Sequence, residues 1–474
     1  MVAGLTDGGM GSFSASLTDV LLDAEGVLNY DMLHNFGYLS IHEMTEIGKG
    51  LSVNFYNTSK VYAYYQYVHQ RKNHNVTTKT TADSARSCSE GGREGWSQVQ
   101  RYGDQYDGAI IGAPAFRQAF QQTQHLWPQI YETVNNYVPN TCELEKIIND
   151  TIAACDPMDG KTDGVVARSD LCRANYDALA SVGSAYHCAA SSTSSAQVGS
   201  SGSSSATPAQ NGTVTAQGVA VFKAMTDGPY DTKGRHLYVG YQPGARDSSV
   251  AAGTYNSTSG SYYAAAGGLG AQFVNTFIYE TDSSELALTG VTADTLRGWM
   301  LTAMQKYSDT LETVWTDLED AQKAGGKIIH FHGEADASVP TMSSVIYRDQ
   351  VRREMFPDLS YAEGEAALSE FYKLFLIPGA GHCSPNADNG PFPQTIIGSI
   401  IEWVEQDVEP KTLNATILQG SKAGTQQNIC AFPYRPMWNG NVTEQPECVW
   451  PEQKALDAWY PVLDSITLNV YGNA

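Results

Sequence analysis

Cys88-Ser89-Glu90-Gly91-Gly92 is the stretch that decides the fold. Small residues two places before and two places after a serine, here Ser87 and Gly91, permit the sharp strand-to-helix turn that exposes a nucleophile. The flanks fit such a turn. Lys60 to Gln66 is aromatic and strand-like, Gly91 to Tyr102 predicts a helix, and Asp107 to Gly112 is a short apolar strand closing in Ala113-Pro114. A helix beginning there would aim its positive end at Ser89, and the Glu90 amide would donate to an oxyanion. A second amide is expected from the Gly8-Gly9 region. Alone, a serine between a cysteine and paired glycines is an ordinary turn.

Its partners lie far downstream. Lys327 to His332 and Phe371 to Ile377 are buried-strand candidates, and each runs into a loop bearing an ionisable residue: Asp336 in His332-Gly333-Glu334-Ala335-Asp336, and His382 in Pro378-Gly379-Ala380-Gly381-His382-Cys383. Ser, Asp and His in that chain order, at the carboxyl ends of parallel strands, are the arrangement of an α/β-hydrolase. His382 would take the Ser89 proton and return it to the leaving alcohol, while Asp336 orients the imidazole. Glu334 is the rival acid. Each residue singly reads as a hydrogen-bonded loop histidine or a solvated turn; jointly they point to catalysis.

The expected architecture is α/β, with residues 1–115 and 326–474 forming the catalytic domain. Residues 116–325, rich in Cys, Gly, Ser and Tyr, are expected as a large inserted lid domain over the nucleophile, the alternative being a separate domain with its own partner. Ala189 to Thr207 is Ser-rich and reads as a mobile loop. Further upstream, Phe36 to Leu51 spaces Leu39, Met44, Ile47 and Leu51 as on one helix face.

With 474 residues, 42% of them hydrophobic, the chain can bury a large core. Its 29 basic and 51 acidic residues give a net charge of -22, which repels polyanions and argues against nucleic acid or an anionic membrane as partner. No apolar run approaches the roughly 18 residues of a membrane span. Seven sequons, at Asn57, Asn75, Asn149, Asn211, Asn256, Asn414 and Asn441, together with eight cysteines favour a secreted glycoprotein. Met1 to Ser16 has neither a basic start nor an apolar stretch, so no signal peptide is visible, and a truncated N-terminus is expected. A cysteine sits beside both the candidate nucleophile and the candidate base. A bond between Cys88 and Cys383 would hold the reacting side chains together, and closing so long a loop stabilises by about 5 kcal/mol at most.

At these residues the chain resembles the tannase and feruloyl esterase family, most nearly its fungal tannases. Cys88 to Gly95, Asp107 to Ala115, His332 to Asp336 and Gly381-His382-Cys383 all look like that family's motifs. The resemblance implies a secreted α/β-hydrolase with a disulfide-braced Ser89, Asp336 and His382 triad, acting on small aromatic esters. Galloyl esters of tannins would be cleaved through an acyl-enzyme on Ser89. Feruloyl or chlorogenate esterase activity is the alternative, to be decided by whether lid polar groups meet three phenolic hydroxyls or a methoxycinnamoyl arm. Tyrosines of the lid could pack on the acyl ring.

Asp156, Asp159 and Asp163, spaced by glycines, would supply side chains to a hard cation, with carbonyls from Lys161 and Val165. Calcium is expected, as in the lid of that family, in a structural role between Cys155 and Cys172. Cys430 is expected to pair with Cys448, leaving Cys142 with Cys188.

Tyr67 to Arg86 departs from the family. It is polar, Thr-rich and basic, and it cannot continue a buried strand. A gene-model artefact such as a retained intron is expected, or else a genuine insertion. The insertion motivates a reading of another class: a pseudoenzyme that binds phenolics without turnover.

Overall fold

The structure is a computed structural model and describes residues 2–6, 8, 21–22, 25–66, 88–191, 207–246, 250–283, 286–385, 389–440 and 445–464. Its centre is a parallel sheet of strands β1 (Tyr64–Tyr65), β2 (Cys88–Ser89), β3 (Gly108–Pro114), β4 (Lys327–Gly333) and β5 (Tyr372–Ile377). The order across the sheet is β1, β3, β4, β5, with β2 also paired to β3.

Period-2 alternation explains why the three long strands are buried almost throughout. Ala109, Ile111 and Ile328 face a cluster with Trp96, Tyr347 and Val351. Ile110, Ile329 and Phe331 face the opposite cluster with Ile400, Trp403 and Leu413. A sheet covered on both faces needs such continuous apolar runs. The cover comes from α2 (Glu90–Arg101) and α4 (Thr341–Met355) on one face and α5 (Ile396–Gln406) on the other. A three-stranded antiparallel sheet, β6 (Pro391–Pro393), β7 (Thr412–Ile417) and β8 (Gln426–Cys430), extends the second layer.

Strands β1 and β2 share one edge of β3, because β4 occupies the other. Tyr65 pairs with Ala109 and Cys88 with Gly112, so only Ile110 and Ile111 separate the two pairings. The register leaves room for two residues between Tyr65 and Cys88, where the sequence has Gln66, Ser87 and the 20 residues 67–86. Residues 67–86, like Ser87 and most of the Ser-rich stretch from Ala189 to Thr207, lie outside the described residues.

Helix α1 (Ser40–Tyr56) lies where the spacing predicted one, but its inner face differs: Ile41 is buried, whereas Ile47 and Leu51 are 64% and 66% exposed. A π turn at Asn35–Leu39 precedes it, and within the helix Ile41 and Met44 face the sheet-side core while Ile47 and Leu51 face outward. Within 116–325, one apolar core is built from residues between Leu144 and Ala251, among them Ile148, Val166, Phe222 and Tyr241. The flanking helices α3 (Gln118–Gln124) and Ala293–Tyr307 instead share a core with Met342 and Leu374 from the sheet layer. Disulfides join Cys88 to Cys383, Cys142 to Cys188, Cys155 to Cys172 and Cys430 to Cys448, the pairings expected above. No helix among the described residues is long and apolar enough to cross a membrane. The described sequon asparagines, Asn57, Asn149, Asn211, Asn256 and Asn414, are all exposed.

Candidate active site

Ser89 ends β2 and caps α2 with φ 64° and ψ −121°, a left-handed backbone that a serine adopts only when its surroundings impose it. Two contacts do so. The Ser89 carbonyl accepts from the Ala115 amide at 3.1 Å, and α2 lies so close to β3 that a Cβ on Gly92 would come within 2.3 Å of the Gly112 oxygen. Glu90 is the first residue of α2, so its amide has no partner within the helix and is free to donate outward. Its carboxylate is held away by Arg93 Nε at 2.6 Å and Gln118 Nε2 at 3.1 Å. Gly8, half of the other expected oxyanion pair, has a positive φ, and its amide donates to Thr6 Oγ1 at 3.2 Å; Gly9 is outside the described residues.

The loops after β4 and β5 are joined by backbone bonds, Glu334 N to the Ile377 oxygen at 2.9 Å and Ala335 N to the Ala380 oxygen at 2.8 Å. Gly333 permits the approach, since a Cβ there would meet the Ala380 oxygen at 2.4 Å. Across this junction His382 Nδ1 sits 2.7 Å from Asp336 Oδ2. Asp336 is fully buried and also accepts from the Ser338 and Val339 amides, both at 2.8 Å, and from His332 Nε2 at 3.2 Å. Burial alone would raise its carboxyl, but the His382 charge and the bonds from His332 and His382 outweigh it and hold the group well below the usual carboxylate range.

Glu334, the rival acid, is turned elsewhere. Both its oxygens lie 2.6 Å from Arg435 Nη2, and Ser169 Oγ donates to one of them. Arg435 also reaches the Ala167 carbonyl at 3.0 Å and stands 3.8 Å from Asp170. The Cys88–Cys383 bond, with Cα atoms 5.9 Å apart, then ties the turn that carries Ser89 to the loop that carries His382. Cys383, like Ser89, has a left-handed φ of 57°.

Sequence reasoning gave no role to three residues at this site. His332 Nε2 lies 3.2 Å from Asp336, His125 contacts the Ser338 oxygen at 2.9 Å beside Asp336, and Arg435 removes Glu334 from competition. Their partners are set by tertiary contacts, so only the His332-to-Asp336 spacing of four was a visible signal.

In the Asp-rich loop, Asp156 and Asp159 are buried, and Asp156 accepts from the Asp163 and Gly164 amides at 3.1 and 2.8 Å. Lys161 Nζ lies 2.6 Å from Asp163 Oδ2, and the Lys161 amide donates to Asp159 Oδ1 at 2.8 Å. Val165 N donates to Asp163 Oδ1 at 3.2 Å. An all-oxygen set of three carboxylates suits a hard cation. In this arrangement the Lys161 ammonium neutralises Asp163, and no group of three His, Cys, Asp or Glu is gathered as for a metal among the described residues.

The family described as "Tannase and feruloyl esterase" matches residues 74–448. A tannase of Aspergillus oryzae is 41% identical over 99% of this chain and 79% of its own length, and a probable feruloyl esterase of Arthroderma benhamiae is 29% identical over 94% and 74%. Among solved structures, a tannin acyl hydrolase from Aspergillus niger superposes with a TM-score of 0.86 at 46% identity, covering 98% of this chain and 78% of that one. A Ser-capped helix, a buried Asp on a His, and a disulfide binding the two loops thus occur in a chain that belongs to the tannase and feruloyl esterase family of α/β-hydrolases.

Proposed function

We propose that the protein is a secreted serine esterase that cleaves galloyl esters of tannins. The observation that carries this reading is the Asp336–His382 contact at 2.7 Å, locked by the disulfide to the strained Ser89. His382 Nδ1–H donates to Asp336, which leaves Nε2 as the base for the Ser89 hydroxyl. Ser89 Oγ attacks the ester carbonyl, the Glu90 amide donates to the resulting oxyanion, and His382 returns the proton to the departing alcohol. Water, activated by the same imidazole, then releases the acid. The preference for galloyl over feruloyl esters rests on the 41% identity to a tannase against 29% to a probable feruloyl esterase.

Residues 116–325 serve as the lid. Calcium would be held by Asp156, Asp159 and Asp163 with the Lys161 and Val165 carbonyls, supplying charge neutralisation and rigidity rather than reactivity. The exposed sequons and the four disulfides support export as a glycoprotein. Hydrolysis of methyl gallate faster than methyl ferulate, abolished by Ser89→Ala, is the expected result. Turnover that survives Ser89→Ala sinks the mechanism, and the reverse substrate preference sinks the tannase assignment.

A further inference from the structure

Behind Asp336 the hydrogen bonds do not stop. His332 Nδ1 meets Ser344 Oγ at 2.7 Å, Ser344 Oγ meets His330 Nε2 at 2.9 Å, and His330 Nδ1 meets the Tyr372 hydroxyl at 2.8 Å. Tyr372, His330, Ser344, His332 and Asp336 are each fully buried. Strand β4 carries both histidines, two residues apart and so on one face of the sheet, while Ser344 projects from α4 and Tyr372 from β5.

The direction of every proton follows from one end. His332 Nε2 lies 3.2 Å from Asp336 Oδ2 and 3.0 Å from the Val339 oxygen, two groups that can only accept, so Nε2 must carry the hydrogen. With Nε2 as the ring's one N–H, Nδ1 accepts, which makes Ser344 the donor there. Ser344 Oγ therefore accepts from His330 Nε2–H, and His330 Nδ1 accepts from the Tyr372 hydroxyl. Reversal would leave the His332 Nε2 lone pair facing two oxygen acceptors in a buried site, an arrangement costly in low dielectric. Burial keeps His330 neutral by pulling its ionisation well below the usual imidazole range and keeps Tyr372 protonated by pushing its ionisation well above the phenol range.

We propose that His332 is a positioning residue for the triad acid, held as its Nε2–H tautomer by the chain Tyr372–His330–Ser344, and that it shares Asp336 Oδ2 with His382. The inference rests on the Ser89 esterase reading. By donating to the carboxylate it fixes the rotamer that His382 requires and spreads the carboxylate charge over two imidazoles. Loss of that donor concentrates the charge on His382, favours its protonated form, and moves the acid limb of the kcat/KM profile upward. The other ionisable groups facing the chain are Arg348 over the Tyr372 ring, its partner Glu365, Tyr347 of α4 near the Tyr372 hydroxyl, and His125 at the Ser338 oxygen next to Asp336.

The test compares the whole protein with His332→Leu, His332→Gln and Tyr372→Phe by kcat, KM and pH profile on methyl gallate, with circular dichroism to verify folding. His332→Leu is expected to lower kcat roughly 10- to 100-fold with KM nearly unchanged and to raise the acid limb by roughly half to one pH unit. His332→Gln, which can return an N–H donor to Asp336, is expected to recover most of both. Tyr372→Phe, which removes one hydroxyl remote from the substrate, is expected to shift the acid limb in the same direction by less.

A folded His332→Leu with wild-type kcat and acid limb overturns the positioning role. So does His332→Gln no better than His332→Leu, and a wild-type profile in Tyr372→Phe overturns the chain. Wild-type turnover insensitive to Ser89→Ala removes the esterase reading itself, whereas turnover lost in Ser89→Ala and indifferent to His332→Leu removes only the role of His332.

Discussion

Asp336 and Glu334 are two buried carboxylates one residue apart from adjacency, and their partners assign them different work. Asp336→Asn offers His382 an amide where the imidazole needs an acceptor, so kcat is expected to fall by roughly 10³- to 10⁴-fold with the melting temperature little changed. Glu334 behaves oppositely. Arg435→Leu leaves it as an unpaired buried charge, so a loss of about 3–5 kcal/mol is expected by denaturant unfolding. A third buried acid, Glu312, contributes to the pH response: burial pushes its carboxyl up to about 7, against the favourable bond from the Ala119 amide. A raised folded-state value means that its contribution to stability is full below the unfolded carboxylate value of about 4.3 and is lost as pH rises through about 7. Glu312→Gln is therefore expected to melt with the wild type near pH 4 and above it at pH 8, by on the order of 1–3 kcal/mol. Equal melting curves at both pH values refute that assignment. Ser89, Asp336 and His382 were legible from residue type, order and strand-end position. His332 and Arg435 were not, because a histidine or arginine in sequence does not disclose which carboxylate it will meet.

At the scale of elements, the legible part was the strands. Asp107–Gly112, Lys327–His332 and Phe371–Ile377 differ from the observed β3, β4 and β5 by a residue or two at their ends, since continuous apolar runs bounded by Gly and Pro leave few alternatives. Helix α1 was legible as a helix but not in its orientation, because apolar residues stand on more than one of its faces and only packing selects Ile41 for burial. The divided strand formed by β1 and β2 carries the sharpest prediction at this scale. Deleting 67–86 joins Gln66 to Ser87 with the register of Tyr65 opposite Ala109 and Cys88 opposite Gly112 undisturbed. The shortened protein is expected to be at least as active on methyl gallate and to melt higher than the full chain. Lower activity with a lower melting temperature would mean that the strand depends on those residues.

For the molecule as a whole, the ion network around Arg435 matters because it connects distant parts. Ala167, Ser169 and Asp170 follow the Asp-rich loop, Glu334 precedes the triad acid, and Arg435 comes from the C-terminal region. If calcium fills that loop, chelation is expected to lower the melting temperature and to slow turnover, both restored by added calcium. A protein insensitive to chelation, with no metal found by elemental analysis, would leave the loop braced by the Lys161–Asp163 pair, the Asp156 and Asp159 bonds to backbone amides and the Cys155–Cys172 disulfide. Overall charge and composition bounded the partners but said nothing about how the inserted segment divides. Its core from Leu144 to Ala251 and its shared flanks emerge only from packing.

The Cys88–Cys383 bond spans 295 residues, which gives the site a place in time as well as in space. A ribosome has released the nucleophile long before it makes the base, and the two are fastened only after Cys383 has left the exit tunnel and met an oxidant. Until then the maturing chain carries its reactive groups on separate, untied loops. Selective reduction of that bond is therefore expected to lower turnover of methyl gallate, and reoxidation to restore it, as read by assay before and after treatment with a thiol reductant.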